Sequence, residues 1–382
     1  MKDIDNWRPG VLNRNQLIEL AKEEHIICLN PEKIEDPSSF DLHIAEDGYI
    51  MKGCVKPQKN LDIPQIYNKF KKDKLKFENG EISLEKRKTY LFQLEESLNL
   101  KKTHIGGRAT GKSTFGRLDI LTRLMTNDYN SYDIVEENYS GSLWIEVTPI
   151  TFPIRIRKGM SLNQLRLFKG NPSVSRIDDR ELLLWGNLIF DEDGVPKEKE
   201  DERNNLTLSL KEDPTKGRNI CAYAAKKEES QKEHREIDLT IELRQENLYN
   251  KEDYWDELAP TEEKPIALEI EPERFYIFRS RERFKLPKSI AIYCQAITET
   301  LGEIRIHYAG FVHPLFGANR EDNKGAPLMF EVRGHNIPTF LQHGETLAKL
   351  EYYFMSQDAE ESEKYADSYS NQELKLSKYF RE

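Results

Sequence analysis

A mainly β fold is predicted by two observations: apolar residues alternate over short runs broken by Gly, Pro and Asn, and the second half of the chain repeats the pattern of the first. The runs Tyr90-Leu91-Phe92, Trp144-Ile145-Glu146-Val147 and Ile154-Arg155-Ile156-Arg157 put successive side chains on opposite faces, as half-buried strands do. Tyr90 through Leu100 carries its apolar and acidic positions in the same order as Tyr276 through Leu286, 186 residues later. Glu331 follows Glu146, and Gly344 follows Gly159, by 185 residues each. Offsets that agree this closely predict two β units fused in one chain.

The elements follow in order. After Pro9-Gly10, the residues Leu17, Ile18, Leu20 and Ala21 recur at helical spacing with Asn15 as the expected cap, which predicts one short amphipathic N-terminal helix. The first β unit is placed at 1–175. Residues 191–217 and 225–236 are crowded with charged and amide side chains, so 176–262 is expected to be a charged insert or linker. Alternation returns for a second unit at 263–382.

Composition narrows the function. A chain of 382 residues with 37% hydrophobic and 10% aromatic residues can bury two ordinary cores, while 32% charged residues imply much solvated surface. A net charge of −10 opposes wrapping of nucleic acid, although local basic pockets remain open to it. Cys28, Cys54, Cys221 and Cys294 form no C-x-x-C pair and suggest neither a disulfide framework nor a zinc knuckle. No apolar run approaches membrane-spanning length and Met1 to Asn6 lacks a signal-peptide core, so a cytoplasmic protein without membrane contact is expected.

Residues 106–113, Gly-Gly-Arg-Ala-Thr-Gly-Lys-Ser, satisfy the phosphate-loop pattern G-x-x-x-x-G-K-[ST]. Such a loop joins a buried strand to a helix whose N-terminus faces phosphate. Here the preceding Lys101-Lys102-Thr103-His104-Ile105 is too polar for a central parallel strand, and Gly116 weakens a following helix. Asn187 to Asp193 imitates an acidic magnesium strand but runs straight into the charged insert. A P-loop NTPase is therefore the last reading, and Gly106 to Gly111 is expected to be a flexible approach to a site.

Several motifs fall in a family order: Pro37-Ser38-Ser39-Phe40-Asp41-Leu42, Lys112-Ser113-Thr114-Phe115-Gly116-Arg117-Leu118, Tyr139-Ser140-Gly141, Trp144-Ile145-Glu146-Val147 and Gly159 to Leu165. His307 to Phe311 and Phe330 to His335 extend the likeness into the second half. In this order they resemble dCTP deaminases of the trimeric dUTPase superfamily, in the long two-domain bacterial form. The resemblance implies two distorted, jelly-roll-like β-barrel units, and hydrolytic deamination of dCTP to dUTP and ammonia in pyrimidine deoxynucleotide metabolism. It also implies a homo-oligomer with active sites between subunits or units.

That chemistry needs a base for water, a proton route to the leaving nitrogen and charge stabilisation. The P-C-x-x-C signature of zinc deaminases is absent, so the resemblance implies no catalytic zinc and a metal-free centre. In it Glu146 would shuttle protons, Ser113 would orient the water or base, and Arg117 would supply a fixed cation. Lys112 and Thr114 would reach the triphosphate with its Mg²⁺, Glu136 would serve sugar contacts, and Gln164 would hydrogen-bond across the site. Read alone, a carboxylate between Ile145 and Val147 is simply the solvent-facing position of a half-buried strand.

Departures are Lys112 where the family usually has Arg, and Glu136 where it commonly has Asp. The second unit offers Lys288 to Cys294 against the Lys-Ser-Thr motif and retains only Glu331, so it is expected to be scaffold or one wall of a site. A dUTP diphosphatase or a bifunctional deaminase-diphosphatase is the alternative, although the C-terminus lacks that enzyme's glycine-rich arm. A non-catalytic nucleotide-binding protein comes next.

Overall fold

The computed structural model describes residues 4–197, 204–216, 219–227, 240–297, 304–306, 310–320, 322, 324–360 and 372–381. Strand accounts for 44% of the chain and helix for 11%, so the fold is mainly β, with one nearly closed barrel-like sheet and a half-barrel. The first sheet runs in spatial order Ile120–Met125, Ser140–Pro149, Tyr90–Asn99, Phe40–Met51, Ser161–Lys169, Ile105–Gly111 and Ile134–Val135. The second is built around Ala222–Ala225, Phe275–Phe284, Asn205–Ser209, Thr346–Phe354 and Ile290–Ala296, with Ala326–Gly334 also paired to Phe275–Phe284.

The repeat is visible in the register. Tyr90 lies opposite Val147 and Leu91 opposite Glu146, as Tyr276 lies opposite Val332 and Ile277 opposite Glu331. Even a local detail recurs: the Glu85 N–H donates to the Tyr90 hydroxyl at 2.9 Å, and the Glu271 N–H to the Tyr276 hydroxyl at 2.9 Å. The register also moves one expected correspondence. Gly111 sits opposite Asn163 and Ala296 opposite Ala348, so Ile290–Ala296 matches Ile105–Gly111. The counterpart of the Lys112–Arg117 motif therefore begins at Ile297 rather than at Lys288, and its remainder, 298–302, lies outside the described residues.

Two local expectations change. The N-terminal helix spans Arg14–Lys22 and is capped by Asn13, not Asn15, in a capping box with Gln16. The described parts of 176–262, expected to be a linker, contain strands: Ile241–Glu242 pairs with Ile154–Arg157 of the first unit, and Asn205–Ser209, Ala222–Ala225 and Trp255–Leu258 join the second sheet. Leu206, Leu208 and Ala222 to Ala225 are buried there, and Tyr223 pairs with Ile277. Short apolar alternations were hidden in that stretch by the charged residues around them.

The two units share their interior. Phe152 of the first unit lies 5.7 Å from Tyr254, 5.6 Å from Trp255 and 6.4 Å from Phe380, ring centre to ring centre. Arg166 of the first unit is fully buried against the second. Its guanidinium donates to the Ile292 carbonyl at 3.0 Å and the Val312 carbonyl at 3.4 Å, and lies 4.0 Å from the Phe311 ring centre. Replacing Arg166 with Met keeps the apolar stem but orphans buried acceptors. The urea-unfolding free energy of Arg166→Met should fall by on the order of 3 kcal/mol, and a change under about 0.5 kcal/mol would contradict this role.

Candidate active site

The glycine-rich half of the phosphate-loop pattern is a strand. Ile105–Gly111 pairs antiparallel with Ser161–Lys169 along its whole length. A Cβ at Gly106 would lie 3.0 Å from the Val135 carbonyl oxygen, and one at Gly107 would lie 2.9 Å from Leu167 Cδ2. These glycines admit neighbouring chain into a closed sheet, so they are neither a flexible approach nor a phosphate cradle. The helix that follows, Ser113–Gly116, has four residues. A strand of an antiparallel sheet leading into a single turn lacks P-loop geometry, and that reading is set aside.

The second half of the pattern faces a cavity of about 410 Å³ between the two units. Lys112, Ser113, Thr114, Gly116, Arg117 and Gln164 line one side, and Glu331 and His313 of the second unit line the other. Gln372 and Lys378 of the C-terminal segment complete it. Lys112 pairs with Asp41, and Gln164 accepts from the Ser39 hydroxyl at 3.1 Å and donates to the Thr110 hydroxyl at 3.4 Å. The Thr114 carbonyl accepts from the Ser377 hydroxyl at 2.8 Å. Arg117 is buried and donates to the Leu376 carbonyl and to Gln372 Oε1, both at 3.4 Å.

Glu331 is the carboxylate at this motif. A Cβ built on Gly116 would lie 2.3 Å from Glu331 Oε2, so only the missing side chain lets the carboxylate approach the turn. Burial pushes the Glu331 carboxyl up to about 8, against the opposing pull of the Arg117 cation. Asp36, which also lines the cavity, is pushed up to about 6, first by burial and then by the charge of Asp41. Burial holds the His313 imidazole well below its usual range, and the Arg166 cation pushes the same way; His313 Nδ1 is 2.9 Å from the Ser38 hydroxyl.

Glu146 and Glu136 are not among the residues lining this cavity. Glu146 is closed over by its own unit: the Val55 N–H donates to Oε2 at 3.0 Å, and the Tyr132 hydroxyl lies 3.4 Å from both carboxylate oxygens. Burial raises its pKa, and the Val55 N–H and the Arg123 charge oppose that. Cys54 and Val55, which meet it, belong to the wall of a separate cavity of about 650 Å³ beside the helix Ile63–Phe70. Glu136 is exposed, and its carbonyl accepts from the Tyr139 N–H at 3.1 Å. Glu331 was legible only as the repeat partner of Glu146; nothing in the sequence pattern marks Gln372 or His313.

Among the described residues no group of three or more His, Cys, Asp and Glu is arranged to hold a metal ion. Nor, among them, is any helix long and apolar enough to cross a membrane.

Residues 8–171 match the family described as 2'-deoxycytidine 5'-triphosphate deaminase (DCD) N-terminal domain, and residues 187–380 match its C-terminal domain. The chain belongs to the dCTP deaminase family. Within that family it is similar to the crystal structure of 2'-deoxycytidine 5'-triphosphate deaminase from Agrobacterium tumefaciens, with a TM-score of 0.77 and 27% identity over 91% of this chain and 99% of that one. It is also 36% identical over 67 residues to a protein named "dCTP deaminase, dUMP-forming" from Corynebacterium diphtheriae. That match spans 17% of this chain and 33% of the relative's length.

In this dCTP deaminase fold Glu331 occupies the space that a side chain at position 116 would take. Gly116→Ala should cut dCTP turnover about 100-fold, because an added methyl displaces the carboxylate by more than an ångström. Circular dichroism should show an unchanged fold; full activity would remove Glu331 from the site.

Proposed function

We propose that the cavity between the two units deaminates dCTP, with Glu331 rather than Glu146 as the proton-transferring carboxylate. The observation that carries this reading is the convergence of Ser113, Arg117 and Glu331 in one cavity large enough for a small ligand. Lys112 and Thr114 would meet the triphosphate, whose Mg²⁺ arrives with the nucleotide. The strand Ala326–Gly334 would present Glu331 to the water that adds to C4 of the base.

The steps balance as an addition and an elimination. Glu331 takes a proton from water as the oxygen adds to C4, and passes it to ring N3. The resulting carbinolamine gives its hydroxyl proton, through the same carboxylate, to the amino group. C4=O forms and ammonia leaves. Ser113 would hold the attacking water by a hydrogen bond, and Arg117 would steady the ionised form of Glu331. A carboxyl group near 8 is suited to both taking and returning a proton near neutral pH. We place this activity in the cytoplasm, on free nucleotide, in a chain that assembles with copies of itself.

Release of dUTP is the expected outcome. The name of the Corynebacterium diphtheriae relative supplies a second reading, in which the product is dUMP. Chromatography of the nucleotide after ammonia release separates the two: dUMP with pyrophosphate would mean that water also attacks phosphorus.

Glu331→Gln should lower kcat with dCTP by at least about 1,000-fold, whereas Glu146→Gln should stay within about threefold of the unsubstituted protein. The opposite ranking would return the catalytic role to Glu146. The sign of the pH dependence follows from the raised pKa: water activation needs the ionised carboxylate, so kcat/KM should climb as pH rises through about 8. A flat profile from pH 6 to 9 would contradict it.

A further inference from the structure

We infer that Gln372 is a positioning residue that holds Arg117 in register with Glu331 by tying the first unit's motif to the second unit's strand. The inference rests on the assignment of Glu331 and Arg117 proposed above. The C-terminal segment, which has no sequence motif of its own, passes directly through the site. Gln372 is buried, and its amide works in both directions. Oε1 accepts from Arg117 Nη2 at 3.4 Å, and Nε2 donates to the Pro327 carbonyl at 3.0 Å. Pro327 is the second residue of the strand Ala326–Gly334, which carries Glu331. One side chain therefore bridges the cation of one unit and the strand that carries the carboxylate of the other.

The geometry around it restrains the guanidinium plane. Arg117 Nη1 donates to the Leu376 carbonyl at 3.4 Å, so two points of one segment hold two nitrogens of a planar group. Each bond is long, and together they set an orientation more than an affinity. The segment itself is anchored on both sides. The Leu374 N–H donates to Asp213 Oδ2 at 2.7 Å, Glu373 pairs with Arg320 at 2.8 Å, and Phe380–Arg381 pairs in parallel with Tyr249–Asn250. Leu374 and Leu376 are buried, so this is a fixed wall and not a cover that swings.

A double-substitution cycle tests it with the full chain and dCTP. Gln372→Leu should lower kcat about tenfold with KM within about twofold, and should move the Glu331 limb of kcat/KM to higher pH, because a less restrained Arg117 stabilises the carboxylate less. Gln372→Glu keeps an acceptor for Arg117 and should recover most of kcat above that limb. In an Arg117→Lys background, Gln372→Leu should cost less than about twofold, since its partner has already gone. Equal losses in both backgrounds, or no loss in the first, would overturn the positioning role. If Gln372→Leu fails to fold by circular dichroism, the Gln372→Glu comparison decides: low kcat at every pH overturns the role. Full activity of Arg117→Lys and Glu331→Gln would instead overturn the underlying assignment.

Discussion

The contact on which the site depends is a buried ion pair between the units. Asp119, fully buried two residues after Arg117, meets Arg333 Nη1 at 2.5 Å, and Thr151 closes the triangle with 2.5 Å to Asp119 and 2.9 Å to Arg333. Taking two charges out of water costs several kcal/mol per ion and is offset only when geometry and extra hydrogen bonds are good. Such a pair tolerates one alignment. Glu331 and Arg333 share a face of one strand, so a slip by one residue would turn both away and present Val332 to the motif. The position of the carboxylate opposite Gly116 follows from the register that Asp119 enforces.

Much of this fold was legible because periodicity and repetition survive in the sequence. Tyr90 and Tyr276 announce their equivalence through similar neighbours, Leu91-Phe92 against Ile277-Phe278, and the structure places each opposite a valine. The strands near 205 and 222 were not legible: Leu206, Leu208 and Leu210 alternate over only five residues between charged runs, and Ala222 to Ala225 holds a single large side chain, Tyr223. Their burial is decided by the sheet they join, a tertiary effect that no local window contains.

The site was half legible for a related reason. Lys112, Ser113, Thr114, Arg117 and Gln164 come together as their order along the chain suggests, because a short turn and one strand pairing carry them all. Glu146 seemed their natural companion since it lies on the same unit. Its neighbours Val55, 91 residues before it, and Tyr132, 14 residues before it, satisfy it within that unit. Which of two equivalent carboxylates meets the motif depends on how the units face each other, and hydrophobic patterning carries no record of that. The phosphate-loop pattern is matched here without its structure, because a regular expression does not distinguish glycines that turn toward a ligand from glycines that let strands pack.

Fusion of the two units has an evolutionary consequence. In an assembly of identical subunits every substitution appears on both sides of each interface, so a residue that serves one side constrains the other. Here Glu146 and Glu331 are separate codons. One copy could be enclosed by a loop and the other kept facing the motif, and the two halves became free to diverge. The asymmetry between an enclosed Glu146 and a cavity-lining Glu331 shows how differently one strand position can be surrounded in two halves built on the same register.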